Sequence, residues 1–433
     1  MEEVVVGLAG APTSLAAHAH RDDGRGLGII VDAGRMLKMP AGALAADTAP
    51  PPRKRRPDAG RPYLQALTVF AGSRLMVALA VAFGKIYIPL GSDPWDAGPR
   101  WYHRLLRWDS EWYQIIAAQG YAFNGDIGER QTVVFYPLYP LLARAVSAIT
   151  GLPVADSLLL VANIAAIAAI MLLFRLVRSE FGDSVALLTI ALVSFFPASV
   201  FLSAGYTEPL TLLWIVGFFL ALRRQRFFAA AVLAGLAVAT RSSGIVLWPV
   251  LLWEAWRHRD IRQFARDLVP LTVLATSGLW LYMLYLGLAF GHPLAFSDAQ
   301  TAFHEGTTML TRLVAALTLQ PFLNLHLADA SPAGLDQWFV LIALALLVRA
   351  WFRLGAAMTL FSAGVLLLPY LTLSGGPAGF TSMARFNLVS FPLFIAAAEL
   401  GIRAPGLMLA VIGALGGLLF MNAALFSQWQ WAG

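Results

Sequence analysis

The stretch Arg107-Trp108-Asp109-Ser110-Glu111-Trp112-Tyr113 sets two carboxylates among three aromatic rings, between long apolar segments. Moving a group from a phosphate to a hydroxyl needs two things. The attacking hydroxyl must lose a proton, which a positioned carboxylate can assist. The departing phosphate must meet fixed positive charge. Asp109 is the candidate base. Arg385 and Arg241 are candidates for the phosphate, because a guanidinium grips phosphate oxygens as a fork. His292 is a further candidate for the same pocket. Trp108, Trp112 and Tyr113 offer ring faces suited to a sugar or to an interfacial aromatic belt. Glu111, Tyr206 and Glu208 complete the candidate substrate-binding set.

Each residue also has a purely structural reading. Asp109 could cap a helix, with Trp108 at N′ and Tyr113 at N4 forming a hydrophobic staple. Glu111 could be a solvated surface residue, and Glu208 before Pro209 could start a helix, where acidic residues suit the dipole. Arg241 could snorkel or brace a bent pair of helices, and His292 before Pro293 could be a loop histidine. Asp109, Glu111, Asp126 and Glu129 carry hard oxygen ligands, but their spacing matches no compact cation loop. Walker, dinucleotide and HExxH motifs are absent. Neither a cofactor nor a metal is therefore expected.

The elements that must hold these residues are apolar helices. Of the 433 residues, 58% are hydrophobic and 13% are charged, against about a quarter charged in a soluble chain. The mean hydropathy is +0.68. The apolar runs are continuous, which fits spanning helices and excludes an alternating barrel. There are no cysteines, so disulfides and thiolate metal sites are excluded. The net charge of +6 sits in short loops, where it reports topology and not nucleic-acid binding. Residues 1–62 are rich in Ala, Gly and Pro and end near Arg53-Lys54-Arg55-Arg56. They read as a disordered, basic cytoplasmic tail, ahead of a multi-pass domain over 63–433.

Sidedness follows from the arginines. The basic cluster places the tail inside, so a first span over 64–88 delivers a first outer loop, 91–155, that carries Asp109. Residues 133–150 are interrupted by Pro137, Pro140 and Arg144 and read as helices lying on the outer surface. Further membrane segments follow over 156–177, 184–202 and 210–222, and a short pair over 227–256 meets near Arg241. The last segments cover 268–290, 337–347, 356–373, 386–400 and 407–426. This is an all-α polytopic bundle of about eleven membrane segments. Its arginine-rich connections fall inside, and Asp109, Glu208, Arg241, His292, Asp298, Gln300 and Arg385 gather on one outer face.

Several separated pieces of the chain resemble the PIG-V-like mannosyltransferases and the broader GT-C class of membrane glycosyltransferases. They are the 107–113 stretch, Gly120-Tyr121, Phe135-Tyr136-Pro137-Leu138-Tyr139-Pro140 and Gly205-Tyr206-Thr207-Glu208-Pro209. Thr240-Arg241-Ser242-Ser243-Gly244, Gly291-His292-Pro293 and Ala384-Arg385-Phe386-Asn387 follow in family order. The resemblance implies a GT-C-like helical bundle and a polyprenyl-phosphate sugar as donor, with mannose as the sugar. It also implies inversion at the anomeric carbon, an acidic base in the first outer loop that maps onto Asp109, and action on the outer, periplasmic face of an inner (plasma) membrane. The acceptor is expected to be a glycolipid, a glycan or a protein. The alternatives are a lipid or solute transporter, suggested by the broken pair at 227–256 and by Arg74 within the first span, and a non-catalytic glycolipid-binding membrane protein.

Overall fold

The computed structural model describes residues 60–91, 95, 98–303, 308–323, 332–373, 380 and 382–430. The expected cytoplasmic tail lies almost wholly outside the described residues. Among the described residues the regular structure is helical throughout.

Among the described residues three helices are long and apolar enough to cross a membrane: Arg61–Tyr87, Val154–Phe195 and Pro405–Ser427. The first packs against both of the others. Val154–Phe195 covers two of the expected segments in one run, because Gly182, at φ 82 and ψ 177, is the one non-helical point inside it. Glycine meets no Cβ penalty in that backbone region, so the chain can turn there between the two apolar stretches. The expected single segment at 268–290 is instead a pair, Ile261–Ala275 and Ser277–Phe290, bent by 55°. The expected segment at 386–400 is likewise divided into Met383–Asn387 and Phe391–Gly401. By length and composition the spans among the described residues therefore number three, or four with the bent pair, together with shorter apolar helices such as Phe227–Thr240.

Arg74, which had suggested a transport pathway, is a structural clasp. Its guanidinium donates to the carbonyls of Ser199 (2.6 Å) and Ser194 (3.0 Å) and to the hydroxyls of Ser199 and Ser203. Those acceptors belong to the turn where Val154–Phe195 gives way to the 3-10 helix Pro197–Leu202. A guanidinium drawn into the protein needs such a full set of acceptors, and here the turn supplies it, with the Ser194 carbonyl also serving the Ser199 hydroxyl at 2.6 Å.

The short pair expected at 227–256 is present as Phe227–Thr240 and Leu247–His258, joined by the 3-10 turn Ser242–Val246. A Cβ on Gly244 would lie 2.4 Å from the Ala237 carbonyl carbon, so only glycine lets this turn fold back onto its own helix. The loop between the first two long helices carries Asp109–Gln119 and Leu138–Thr150. The latter begins directly after Pro137 and tolerates Pro140 in its first turn, where the missing N–H is not needed. At about 20 Å it is too short to span a bilayer core. Tyr139 ties it to the long helix by donating to the Leu158 carbonyl at 3.0 Å. Arg144 donates to the carbonyls of Ala117 (2.6 Å) and Ile116 (3.2 Å), so it closes the C-terminal end of the Asp109 helix.

Candidate active site

Asp109 is the first residue of its helix, and Trp108 occupies the capping position. The expectation that Asp109 caps the helix is thus corrected by one position. Its carboxylate points elsewhere: Oδ2 accepts from Nη2 of Arg385 at 2.6 Å. Asp109 keeps 31% of its side chain exposed, so a solute can reach it.

Backbone docking explains how the second carboxylate arrives. The Gly205 N–H donates to the Leu105 carbonyl at 3.2 Å, and the Ser110 hydroxyl donates to the Gly205 carbonyl at 3.0 Å. A Cβ on Gly205 would lie 2.3 Å from Leu106 Cδ2, so a larger residue would have to displace the Leu106 side chain from this close approach. Three residues later Glu208 opens the helix Glu208–Arg223, with its side chain 0% exposed. Its Oε1 accepts from Nε of Arg385 at 2.6 Å and from Nη1 of Arg241 at 2.5 Å. The other oxygen, Oε2, is buried without a hydrogen bond.

The result is a row of alternating charge, Asp109–Arg385–Glu208–Arg241, drawn from four distant parts of the chain. Its formal charge is zero, so two arginines can be held inside the protein without a ligand. Removing one partner from such a buried set typically costs about 3–5 kcal/mol. The guanidinium of Arg385 also lies over the Tyr206 ring at 4.5 Å and the Phe201 ring at 5.0 Å. That of Arg241 lies 4.6 Å from the Phe386 ring. These aromatic faces add cation–π attraction and fix the planes of both forks.

A group that the sequence reading did not single out mounts Arg385. Asp336, itself buried, accepts from the Ala384 N–H at 2.9 Å, at the start of the short helix Met383–Asn387. It also faces a cavity of about 300 Å³ whose walls include Leu192, Phe339, Ala384 and Leu415. This apolar space therefore opens beside the element that presents Arg385. No local signal marks Asp336, because its partner lies 48 positions away.

The remaining candidates divide. Trp112 is half-buried and stacked on Phe135, with the ring centroids 5.7 Å apart. Trp108 is half-buried beside the site, and Glu111 is half-buried on the same helix as Asp109. Tyr113 and Tyr206, expected to contact substrate, are buried. Burial pushes the Tyr113 phenol well above its ordinary range, with the nearby Asp109 carboxylate adding to the shift, so it holds its proton at neutral pH. Tyr206 donates to the Arg107 carbonyl at 3.0 Å and supports the site from beneath. Glu208, also expected to bind substrate, is enclosed between the arginines. His292 pairs with Asp298 at 3.3 Å and packs edge-on to Phe123. Among the described residues its contacts do not reach the charged row. Asn124, Asp126 and Glu129 bond within their own loop. Among the described residues no three His, Asp or Glu side chains form a metal-holding group.

Residues 96–305 match the family model described as Mannosyltransferase (PIG-V). This segment contains Asp109, Glu208, Arg241 and His292 but not Arg385. The chain is similar to GPI mannosyltransferase 2 of Drosophila pseudoobscura pseudoobscura, with 30% identity over 210 residues, covering 42% of this chain and 44% of the relative. It is also similar to GPI alpha-1,6-mannosyltransferase 2 of Mus musculus, with 31% identity over 182 residues, covering 39% and 34%. The chain thus spans less than half the length of these curated relatives. Among solved structures, ArnT from Cupriavidus metallidurans bound to undecaprenyl phosphate aligns with a TM-score of 0.48 and 13% identity, over 81% of this chain and 63% of that one. The apo oligosaccharyltransferase of Archaeoglobus fulgidus aligns with a TM-score of 0.44 and 15% identity, over 85% and 56%.

Proposed function

We propose that this chain, a PIG-V-like family member across residues 96–305, is an inverting glycosyltransferase that moves mannose from a polyprenyl-phosphate carrier to an acceptor hydroxyl. The single observation that carries the reading is the convergence of Asp109, Arg385, Glu208 and Arg241. A carboxylate open to solvent stands beside a guanidinium pair, which is the set that base-assisted displacement of a phosphate requires.

The step runs as follows. Asp109 accepts the acceptor's hydroxyl proton while the hydroxyl oxygen attacks the anomeric carbon. The bond from that carbon to the phosphate oxygen breaks, and its electron pair leaves with the phosphate. Negative charge therefore passes from Asp109 to the phosphate, and the total charge at the site does not change. Arg385 touches Asp109 in the free protein, so a donor phosphate taking up Nη2 releases the carboxylate as it binds. Glu208 keeps hold of Nε throughout and fixes the pivot. The apolar cavity beside Ala384 is a fitting place for part of the donor's tail. The active face is the outer one, by the distribution of arginines.

The test uses membranes carrying wild type or Asp109→Asn, radiolabelled polyprenyl-phosphate mannose and an acceptor-rich lipid extract. A labelled product is expected from wild type alone, with the variant reduced about 10²–10⁴-fold at equal expression. Equal transfer by both proteins would remove Asp109 as the base. Silence from wild type with every lipid-phosphate sugar tried would remove the activity itself.

A further inference from the structure

We infer that Trp429, beyond the segment that matches the family model, is a positioning residue that aims Asp109. The inference rests on Asp109 being the base of the proposed transfer.

Trp108 immediately precedes Asp109 and has φ 56 and ψ −118. A bulky L-residue rarely adopts positive φ, and such a backbone persists only where the surroundings impose it. The end of the helix Pro405–Ser427 supplies that imposition. Past Ser427 the chain turns back, with Trp429 itself at φ 63. Its ring meets the Trp108 ring at 5.4 Å in an edge contact and the Trp95 ring at 6.2 Å. The Arg107 guanidinium lies over it at 5.0 Å. Gln428 receives Nη1 of Arg104 on its side-chain oxygen at 3.1 Å and the Gly91 N–H on its carbonyl at 2.7 Å. A Cβ on Gly91 would lie 2.8 Å from the Trp429 carbonyl oxygen, so the two segments run in backbone contact.

Residues 104, 107 and 108 therefore lean on 428–429 through their side chains, while Tyr206 holds the Arg107 carbonyl. Between these holds the turn keeps its rare backbone and delivers Asp109 to within 2.6 Å of Arg385. A tryptophan at the end of a span is ordinarily an interfacial anchor. Trp429 is only 5% exposed, so its ring serves the protein interior instead. It does not face substrate and is not a catalytic residue.

The chain has no cysteine, so Asp109→Cys carries the sole thiol. Its rate of modification by a charged methanethiosulfonate reports on the position of residue 109 without any substrate. Adding Trp429→Ala is expected to change that rate by about tenfold, while the sole thiol of Glu129→Cys, in a separate exposed loop, reacts at the same rate with or without Trp429→Ala. An unchanged rate at residue 109, or an equal change at both sites, overturns the inference. In an otherwise wild-type background, Trp429→Ala is expected to lower kcat by about 10²-fold, with the donor KM within about twofold and Trp429→Phe recovering most of the loss. A full kcat in Trp429→Ala also overturns it. If wild type transfers no sugar, the functional reading fails by itself and the labelling result still decides the role of Trp429.

Discussion

Glu208 sits at the centre of the site yet is enclosed on all sides, so its contribution passes through Arg385 and Arg241. One carboxylate oxygen receives both guanidinium groups, which brings two positive charges together at a spot a phosphate could share. The arrangement depends on the shape of arginine. Arg385 reaches Glu208 with Nε and Asp109 with Nη2 from one rigid plane. Lysine has a single ammonium at the end of a flexible stem and cannot reproduce both contacts at that geometry. Arg385→Lys is therefore expected to lower kcat/KM by about 10- to 100-fold, the worth of one charged hydrogen bond, as measured by the same transfer assay. A lysine variant with wild-type turnover would reduce Arg385 to a mere positive charge. Asp109, Arg241 and Arg385 were legible in the sequence because ionisable groups among apolar helices are costly and need a reason. Asp336 and Trp429 were not, since an acid near a helix start and a tryptophan at a helix end are ordinary by composition. Their roles come from contacts with segments remote in sequence.

At the scale of elements, the helix that ends at Thr240, just before Arg241, is held by small residues. A Cβ on Gly278 would lie 2.2 Å from the Ala239 nitrogen, and one on Gly235 would lie 2.5 Å from the Leu274 carbonyl oxygen. Phe227–Thr240 and the bent pair therefore touch along their backbones, a close approach that small residues permit. The break at Thr276 falls inside the single apolar run that hydropathy reads over 268–290, so the bend of 55° does not show in composition. Gly278→Ala must shift one helix against another and is expected to lose about 1–3 kcal/mol, seen as a lower melting temperature of the detergent-solubilised protein. Gly72→Ala is its counterpart. It lies inside Arg61–Tyr87 with nothing within 4 Å of the added carbon, so it is expected to gain about 0.5–1 kcal/mol from helix propensity alone. A melting temperature raised by Gly278→Ala would show that the close packing is not required.

For the whole molecule, the arginines set an orientation that can be measured. Arg223, Arg224 and Arg226 lie at the end of one apolar helix and the start of the next, away from the Asp109 loop in chain order. On the proposed outer-face reading, which rests on the positive-inside trend, they belong in the cytoplasm and the loop outside. In intact cells a membrane-impermeant maleimide is expected to label Glu129→Cys at once and Arg224→Cys only after permeabilisation. The reverse pattern would overturn the outer-face reading while leaving the chemistry of the site intact. The order of apolar segments was readable from hydropathy, but their lengths were not: the turn at Gly182 and the split after Asn387 come from backbone geometry.

The clasp at Arg74 has a bearing on how the protein is made. Its principal acceptors lie 120 to 129 positions later in the chain. At a synthesis rate of about 5–20 residues per second, they follow Arg74 off the ribosome after roughly 6–26 s. During that interval the guanidinium has only its helical neighbours, the Ser73 hydroxyl at 3.2 Å and the Phe70 ring at 4.9 Å. Water and lipid head groups must serve it until then. The first helix is thus born with an unfinished charge, and its settled depth in the bilayer awaits a turn that has not yet been translated.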